Sequence, residues 1–422
     1  MMSEMNTQPL SEAVTLHTFT DSRFKTVKVS VNIFLPLQGE NAARNAILPA
    51  LVTWASKKYP DPIALNRRLA ELYGVSLTSS VQKIGGFQVL NLSAVGLSNR
   101  YAFGGEDMLA QLTGLLFDML FDPLRDQEGL FPLEGFRQKQ RALLEALDAE
   151  YNDKGAYAHR RCEELVFAGQ SAALNPYGTK EEIAALDRKA VTQAWEEILH
   201  TARFEIFVLG DCSPQPELFA RRFAGVGGAV PLEILPFEAP QELRRATEEQ
   251  PLSQSKLSMG FRLDYKPEEK PVIRLMSAVL GGVPSSKLFQ NVREKMSLCY
   301  YCSTGLYANS RALFISSGVE TENLRRTEEA IYQQIEALQR GELSEEELLS
   351  AKLALCNSNR SVTDSLFAIE NSYLGQLMGG TILSPQETID QILSCTREQV
   401  IEAATRLCPA AVYTLKGGGV RG

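Results

Sequence analysis

Residues 280–300 read LGGVPSSKLFQNVREKMSLCY, and this stretch decides the fold of the second half of the chain. The glycine pair at 281–282 ends an apolar helical pattern over 271–281, and Ser286 is placed to cap a second, shorter helix over 286–294. A strand-like run, CYYCSTGLYA, follows from residue 299, and residues 256–263 also have strand character. The pattern therefore predicts strand, helix, short helix, strand.

The first half of the chain has the same order of elements. Residues 26–37 alternate apolar and polar side chains as a half-buried strand does, helical patterns follow over 41–59 and 62–73, and two strand-like runs then flank Gly85 and Gly86. Further helices are predicted over 104–121, 132–164 and 180–199, with a strand over 204–209. LNRRLAE at 65–71 aligns with LFQNVRE at 288–294, and DRKAV at 187–191 aligns with TREQV at 396–400. The sequence thus predicts two similar halves.

Between the halves, the segment from about residue 227 to 255 is rich in Pro, Glu and Gln and has no sustained period. We therefore predict an α+β protein, an α/β sandwich of two homologous domains at 1–228 and 255–422 with a linker at 229–254. Each domain is expected to be a mainly antiparallel sheet faced by helices. At 422 residues the chain exceeds the size of about 250–300 residues at which one hydrophobic core stops growing.

Composition excludes several classes of protein. The net charge is −8 and there is no run of five basic residues, so we expect no nucleic-acid partner. The N-terminus lacks the pattern of a secretory signal, and no apolar run approaches the roughly 18–20 residues that span a bilayer, so no membrane association is expected. Seven cysteines without a framework spacing suit a reducing environment. These features predict a cytoplasmic protein.

The stretch at 280–300 resembles the second domain of the insulinase, pitrilysin and mitochondrial-processing-peptidase superfamily, in which a Gly-Gly and a Ser-Ser-x-Leu-Phe precede an Arg-Glu and a later Tyr. Supporting strings occur in the family's order at 175–178 (NPYG), 209–211 (LGD) and 344–352 (SEEELLSAK). The resemblance implies two homologous α/β domains that close as a clamp around extended peptides. The chain is similar to the short bacterial members of this superfamily.

Active members carry H-x-x-E-H on the first helix of the first half, which supplies two zinc ligands and a general base. The matching helix here reads NAILPALVTW at 45–54 and contains no His, Glu or Cys. A catalytic zinc needs three protein ligands and an open position for water. We therefore predict no metal site, no cofactor and no independent peptidase activity.

Two further observations bear on a metal site. The only histidines are His17, His159 and His200, which are far apart in sequence, so a site composed from distant segments is the remaining way to bind metal. Glu145 lies near the place of the family's downstream Glu ligand, although an alignment on residues 151–153 puts Leu147 there instead. Without the histidines, we interpret Glu145 as a solvent-facing helix residue.

Arg293 and Tyr300 match the Arg and Tyr with which the family holds the backbone of its substrate. They are therefore the predicted substrate-binding residues, because a guanidinium and a phenol supply donors that suit a peptide carbonyl. The alternative is that Arg293 pairs with a neighbouring acid such as Glu294 while Tyr300 packs under the sheet. The residues alone leave both interpretations open.

Some bacterial members of the superfamily work as pairs in which one chain has the zinc motif and the other keeps the Arg and Tyr. By this resemblance the chain is predicted to be a peptide-binding, non-catalytic subunit, associated with an H-x-x-E-H homologue or with a second copy of itself. Its ligands would be peptides or unfolded proteins. The alternative of a different class is a structural or assembly protein with the same fold and no role in peptide processing. An enzyme that uses unrecognised chemistry is the third option.

Residues 299–302 form a C-x-x-C, which in other proteins marks a redox pair or a metal site. Redox pairs usually begin a helix, whereas this segment has a strand pattern. In a regular strand, residues three apart face opposite sides of the sheet. The spacing is therefore interpreted as a coincidence.

Overall fold

The computed structural model describes residues 4–380 and 382–418. The chain forms two compact units, the first made of Met1–Asp148 and Leu174–Leu232 and the second of Ala149–Ala173 and Glu233–Gly422. Each unit contains one β-sheet faced by helices. The predicted α+β class with two domains is confirmed.

The first sheet has six strands in the order β1-β2-β6-β3-β5-β4. Their bounds are β1 Asn6–Pro9, β2 Val14–Thr20, β3 Thr26–Pro36, β4 Ser76–Ile84, β5 Phe87–Leu97 and β6 Arg203–Gly210. Only β2 and β6 run parallel, and the other neighbouring pairs are antiparallel. The hairpin predicted around Gly85 is the antiparallel pair β4 and β5, which leaves β4 at one edge of the sheet.

The second sheet has five strands in the order β7-β11-β8-β10-β9. Their bounds are β7 Arg244–Gln250, β8 Ser255–Leu263, β9 Cys299–Tyr307, β10 Ala312–Val319 and β11 Leu407–Gly417. The pair β7 and β11 is parallel and the other pairs are antiparallel. Taken in order, these five strands repeat β2, β6, β3, β5 and β4, so the sheets share one topology and β9 corresponds to β4.

The helices lie mainly on the faces of the two sheets. Their bounds are α1 Gly39–Ala46, α2 Leu48–Val52, α3 Pro62–Glu71, α4 Met108–Phe121, α5 Leu133–Asn152, α6 Lys154–Val166, α7 Lys180–Ala184, α8 Arg188–Thr201, α9 Pro216–Arg222, α10 Lys270–Ser277, α11 Leu324–Gln339, α12 Glu345–Val362, α13 Leu366–Leu374, α14 Pro385–Ser394 and α15 Arg397–Thr405. Two π-helical segments, Ala278–Gly282 and Leu288–Lys295, take the places of the predicted end of helix 271–281 and of the short helix 286–294.

The two segments aligned at 187–191 and 396–400 have the same local structure. Asp187 accepts a hydrogen bond from the backbone of Ala190 and begins α8, and Thr396 accepts one from Gln399 and begins α15. Such caps satisfy amide groups that have no partner inside the helix. One turn later, Val191 and Val400 are fully buried in the cores of their own units. Both the cap and the first core contact are repeated.

The predicted helix over 132–164 is two helices that belong to different units. Asp153 ends α5 and accepts hydrogen bonds from Gly155 and Ala156, which starts α6. The apolar side of α6, including Cys162 and Val166, packs on the outer face of the second sheet. Gly260 permits this approach, since a Cβ there would lie 2.2 Å from a methyl group of Val166. Residues 149–173 therefore cluster with the second unit, whereas the predicted domain boundaries, 1–228 and 255–422, placed them in the first.

The predicted linker 229–254 also contains regular structure. Residues 244–250 form β7, which pairs in parallel with β11 at the edge of the second sheet. The strand was missed because its sequence, RRATEEQ, is charged rather than apolar. Charged residues are common on edge strands because they discourage further pairing. Glu248 fixes this edge by accepting hydrogen bonds from Tyr157 at 2.9 Å and Tyr413 at 2.7 Å.

The helix predicted over 41–59 is shorter and broken. It consists of α1 and α2, which are separated at Ile47. Pro49 lies at the start of α2, where its missing N–H and fixed φ are tolerated. The Thr53 hydroxyl donates back to the Pro49 carbonyl at 2.7 Å, and the helix ends there. Within the part of the chain that the structure describes, no helix is both long and apolar enough to cross a membrane.

Candidate peptide-binding sites

The segment that matches the zinc motif lies on α1 and α2 of the first unit. Most of its side chains are apolar, and Ile47, Leu48, Leu51 and Val52 are buried in the core of that unit. Among the residues that the structure describes, no group of three or more His, Cys, Asp or Glu side chains is arranged to hold a metal ion. This segment therefore contributes packing in place of metal ligands.

Beside α2 the first unit has a groove of about 210 Å³ between α1, α2, the edge strand β4 and α5. The larger side chains along it are Ile47, Pro49, Val81, Lys139, Leu143 and Tyr177, and small alanine and serine residues complete the lining. The groove is thus a mainly apolar surface that runs next to an unpaired strand edge.

Strand β4 pairs with β5 on one side and is the terminal strand of its sheet. Most of its residues are exposed or half-buried. The amide and carbonyl groups on the outer side of such an edge can accept another extended chain as an added strand. Because residues 79–81 of β4 also line the groove, a peptide on this edge would place alternate side chains over it.

The string NPYG at 175–178 holds one end of the groove. The Tyr177 hydroxyl donates to the Val81 carbonyl at 3.0 Å, and the Gln88 side chain donates to the carbonyls of Ala42 at 2.9 Å and Pro176 at 2.5 Å. Gly178 has φ +73°, and a Cβ there would lie 2.7 Å from the Cβ of Ala43. The motif therefore fixes this loop against α1 and β4.

Lys139 is the charged residue of the groove. It lies on the buried side of α5, three residues after Phe136 and four before Leu143, and is itself half-buried. Burial lowers the pKa of its ammonium group below the ordinary value. The structure shows no hydrogen bond or ion pair of Lys139 within the described residues. Lys139 was not among the residues predicted from the sequence, although a lysine in the apolar stripe of α5 was a visible signal.

In the second unit, Arg293 lies near the end of the π-helical segment Leu288–Lys295, and its side chain is 39% exposed. Its Nε is 3.5 Å from a carboxylate oxygen of Glu294, and its guanidinium lies 4.4 Å from the centre of the Phe289 ring. This pairing with Glu294 is the contact predicted by the alternative interpretation, in which Arg293 binds a neighbouring acid and not a peptide. It is an exposed ion pair, which typically contributes little.

Tyr300 lies on β9, the edge strand that corresponds to β4, and is 58% exposed. Its hydroxyl donates to Glu320, and this hydrogen bond raises the pKa of the phenol above its ordinary value. The alternative that Tyr300 packs under the sheet is wrong, because a β-bulge turns the side chain outward. The bulge arises where Gly318 pairs with Tyr301 while Val319 pairs with Cys299, which leaves Tyr300 unpaired.

The same bulge changes the geometry of Cys299 and Cys302. The extra residue shifts the alternation, so both side chains pack on the core of the second unit, and the expectation that they face opposite sides is wrong. The two thiols hydrogen-bond each other, which lowers the pKa of Cys299 to about 7, and Ser317 and the charge of Arg293 add to this effect. All seven cysteines are free thiols.

The remaining candidates lie apart from the groove. Glu145 is exposed on α5, as expected, and lines a separate shallow depression with Arg137 and Arg141. His17 is buried and hydrogen-bonds Glu205 at 2.7 Å, and His159 hydrogen-bonds Tyr307 at 2.8 Å. These two histidines have structural partners inside their own units.

The fold and these surfaces define a class of protein with two homologous α+β units, an open strand edge beside a groove, and an apolar segment where a metallopeptidase would hold zinc. Comparisons with known proteins agree with this class. A family model described as the peptidase M16 inactive domain matches residues 185–355. A probable inactive metalloprotease of Bacillus subtilis, YmfF, is 24% identical over 409 residues, which is 96% of each chain.

A second Bacillus subtilis protein, the uncharacterized zinc protease YmxG, is 23% identical over 325 residues, which is 75% of this chain and 76% of that protein. The crystal structure of a conserved protein from Enterococcus faecalis has a TM-score of 0.89 at 27% identity and covers 99% of this chain and 100% of its own. A peptidase M16 inactive domain structure from Pseudomonas fluorescens has the same fold, with a TM-score of 0.79 at 16% identity and 98% of each chain covered. The resemblance is confirmed, because the chain is similar to a probable inactive metalloprotease over 96% of its length and shares the fold of an M16 inactive-domain structure.

Proposed function

We propose that this chain is a non-catalytic, peptide-binding subunit that holds an extended peptide along the edge of β4, beside a groove without metal ligands. The observation that carries the proposal is the combination of an unpaired strand edge and an adjacent apolar groove in the first unit. Main-chain hydrogen bonds at such an edge give affinity without regard to sequence, and the groove receives side chains. Peptides or unfolded proteins are therefore the ligand class.

Arg293 and Tyr300 have a supporting role in the proposal. Both are at least partly exposed, and both carry donors that suit peptide carbonyls. To donate to a peptide, Tyr300 must exchange its hydrogen bond to Glu320 for one to the ligand. These residues offer polar contacts at the edge of the second unit's own sheet, whereas the β4 edge is the main binding surface of the proposal.

The proposal includes a partner that carries H-x-x-E-H and supplies the zinc, since the described residues of this chain form no group arranged to hold a metal ion. A homodimer is the alternative assembly. The proposal also includes a reducing, cytoplasmic location, in keeping with seven free thiols that include an acidic Cys299.

The test uses the purified full chain and fluorescent extended peptides of about nine residues, enough to pair along the nine residues of β4. Binding is measured by anisotropy for a plain peptide and for the same peptide N-methylated at alternate residues, in both registers. One methylated register should lose about tenfold or more in affinity, because several main-chain hydrogen bonds worth about 0.5–1.5 kcal/mol each are removed. Equal affinity of all three peptides would contradict strand addition.

The partner is tested by mixing. The chain alone should leave the peptide intact, and addition of an H-x-x-E-H homologue should give cleavage faster than that homologue gives alone. Sedimentation of the two chains separately and together distinguishes the heterodimer from a homodimer. If no peptide binds and no activity appears on mixing, the structural or assembly function replaces this proposal.

A further inference from the structure

The groove beside β4 contains a positive charge that the first unit does not neutralise. Lys139 is the charged side chain among the described residues that line it. Its pKa is lowered by burial, and no nearby acid contributes in the opposite direction. A half-buried ammonium without a partner is unfavourable for the folded chain, because burial removes water that nothing in the groove replaces.

The neighbouring basic residues of α5 show that this placement is specific to Lys139. Arg137 and Arg141 are exposed and line a different depression, together with Glu134 and Glu145. Lys139 occupies the apolar stripe of the helix between Phe136 and Leu143, and its side chain lines the groove. A ligand complementary to this groove would combine apolar groups with one negative charge.

We infer that Lys139 selects peptides that carry an acidic side chain, Asp or Glu, at the residue seated over the groove. This inference rests on the proposed peptide-binding function and names its substrate class. The groove is lined by residues 79–81, in the middle of β4 at Ser76–Ile84, so a peptide paired with the whole strand continues in both directions past Lys139. The carboxylate therefore comes from a side chain within the peptide and not from its C-terminus.

The carboxylate of the peptide and the ammonium of Lys139 form a charge-assisted hydrogen bond in a partly desolvated place. Such hydrogen bonds are stronger than those between neutral groups. The attraction between the two charges also compensates for the hydration that Lys139 loses by burial. The apolar lining at Ile47, Pro49 and Leu143 receives the methylene groups of the side chain. A lysine at the same peptide position is disfavoured, because two ammonium groups would then share the groove.

The test compares nine-residue peptides of alternating Thr and Val, acetylated and amidated, with a central Glu, Gln or Lys. A fourth peptide has the central Gln and a free C-terminal carboxylate. Binding to the full chain is measured by anisotropy at low salt. We expect the Glu peptide to bind about tenfold tighter than the Gln peptide, and the Lys peptide to bind most weakly. Tighter binding of the fourth peptide than of the Glu peptide would overturn the assignment to a side chain.

Three variants attribute the preference to one residue. Lys139→Met should remove the preference for Glu over Gln, while Lys139→Arg should retain it. Arg137→Met is the matched control, since it removes one positive charge from the exposed side of the same helix, and it should leave the preference intact.

The outcomes separate the two proposals. Peptides that bind without any Glu preference, or a preference that survives Lys139→Met, overturn the selectivity and leave the peptide-holding function in place. Absence of binding by every peptide overturns both. Lys139→Met removes an unpaired buried charge, so the variant is expected to fold, and its circular dichroism and thermal midpoint verify this.

Discussion

The two edge strands β4 and β9 occupy equivalent places in sheets of the same topology, but their surroundings differ in chemistry. Strand β4 borders an apolar groove that contains Lys139. Strand β9 has a bulge at Tyr300, an acidic partner at Glu320 and a pair of coupled thiols. The two edges thus share one backbone arrangement, while the side chains beside them differ, with an apolar groove and one lysine at the first and polar groups and thiols at the second.

The largest effect is expected where α6 packs on the second sheet. Gly260→Val should lower the free energy of unfolding by about 3 kcal/mol or more, because the new side chain would overlap Val166. Chemical denaturation measures the loss, and hydrogen exchange should show it in α6 and β8 rather than in β3. Gly114→Ala is the control, since a Cβ at Gly114 meets nothing within 4 Å. A stable Gly260→Val protein would show that α6 does not pack as described.

The next largest effect concerns the polar contacts of the second edge. Joint replacement Arg293→Met and Tyr300→Phe should weaken peptide binding, and any activity with a zinc-bearing partner, by about tenfold or more, because donors to the peptide backbone are removed. Arg325→Met, which removes a charge from an exposed ion pair on α11, is the control. Unchanged binding and unchanged partnered activity would exclude a role for Arg293 and Tyr300.

The thiol pair gives a smaller but well-defined effect. Because the pKa of Cys299 is lowered to about 7, a small alkylating agent should react there first, and faster as the pH rises through 7. Cys162, which is buried and has a pKa of about 12, should stay unmodified in the folded chain. Cys302→Ala should slow the reaction at pH 7, because it removes the side-chain hydrogen bond that stabilises the Cys299 thiolate. Equal rates in both proteins would contradict the coupling.

The smallest effect concerns Glu320. Glu320→Gln removes the carboxylate that raises the pKa of Tyr300, so the phenol should titrate at a lower pH than in the parent chain. The hydrogen bond from the Tyr300 hydroxyl to residue 320 also becomes weaker and is exchanged more easily for one to a peptide. Peptide affinity should therefore rise by about two- to threefold. Ionisation of the phenol is followed by ultraviolet absorbance. Subtracting the titration curve of Tyr300→Phe from that of Glu320→Gln isolates the Tyr300 phenol. A phenol that titrates at a higher pH would reverse the assigned cause.

Much of the fold could be predicted because local signals agreed with the final packing. The alternation over 26–37 predicted β3 to within one residue, and the helix predicted over 62–73 begins at the same residue as α3. The zinc-less segment could be recognised because metal ligands are few residue types at fixed spacing. These features depend on short stretches of sequence.

The remaining features depend on contacts between distant residues. The assignment of α6 to the second unit follows from the fit of Val166 against Gly260, which no periodicity reveals. Strand β7 is charged and is held by pairing with β11, and the bulge at Tyr300 depends on register with β10. The groove with Lys139 forms only when α5 packs beside β4.

Hydrogen exchange of the full chain, with and without the plain nine-residue peptide, shows whether the β4 edge holds an extended peptide. We expect slower exchange within Ser76–Ile84, no change at the opposite edge strand Asn6–Pro9, and recovery of the peptide uncut. Unchanged exchange in Ser76–Ile84 under conditions where the peptide is bound would contradict the account and place the binding surface elsewhere.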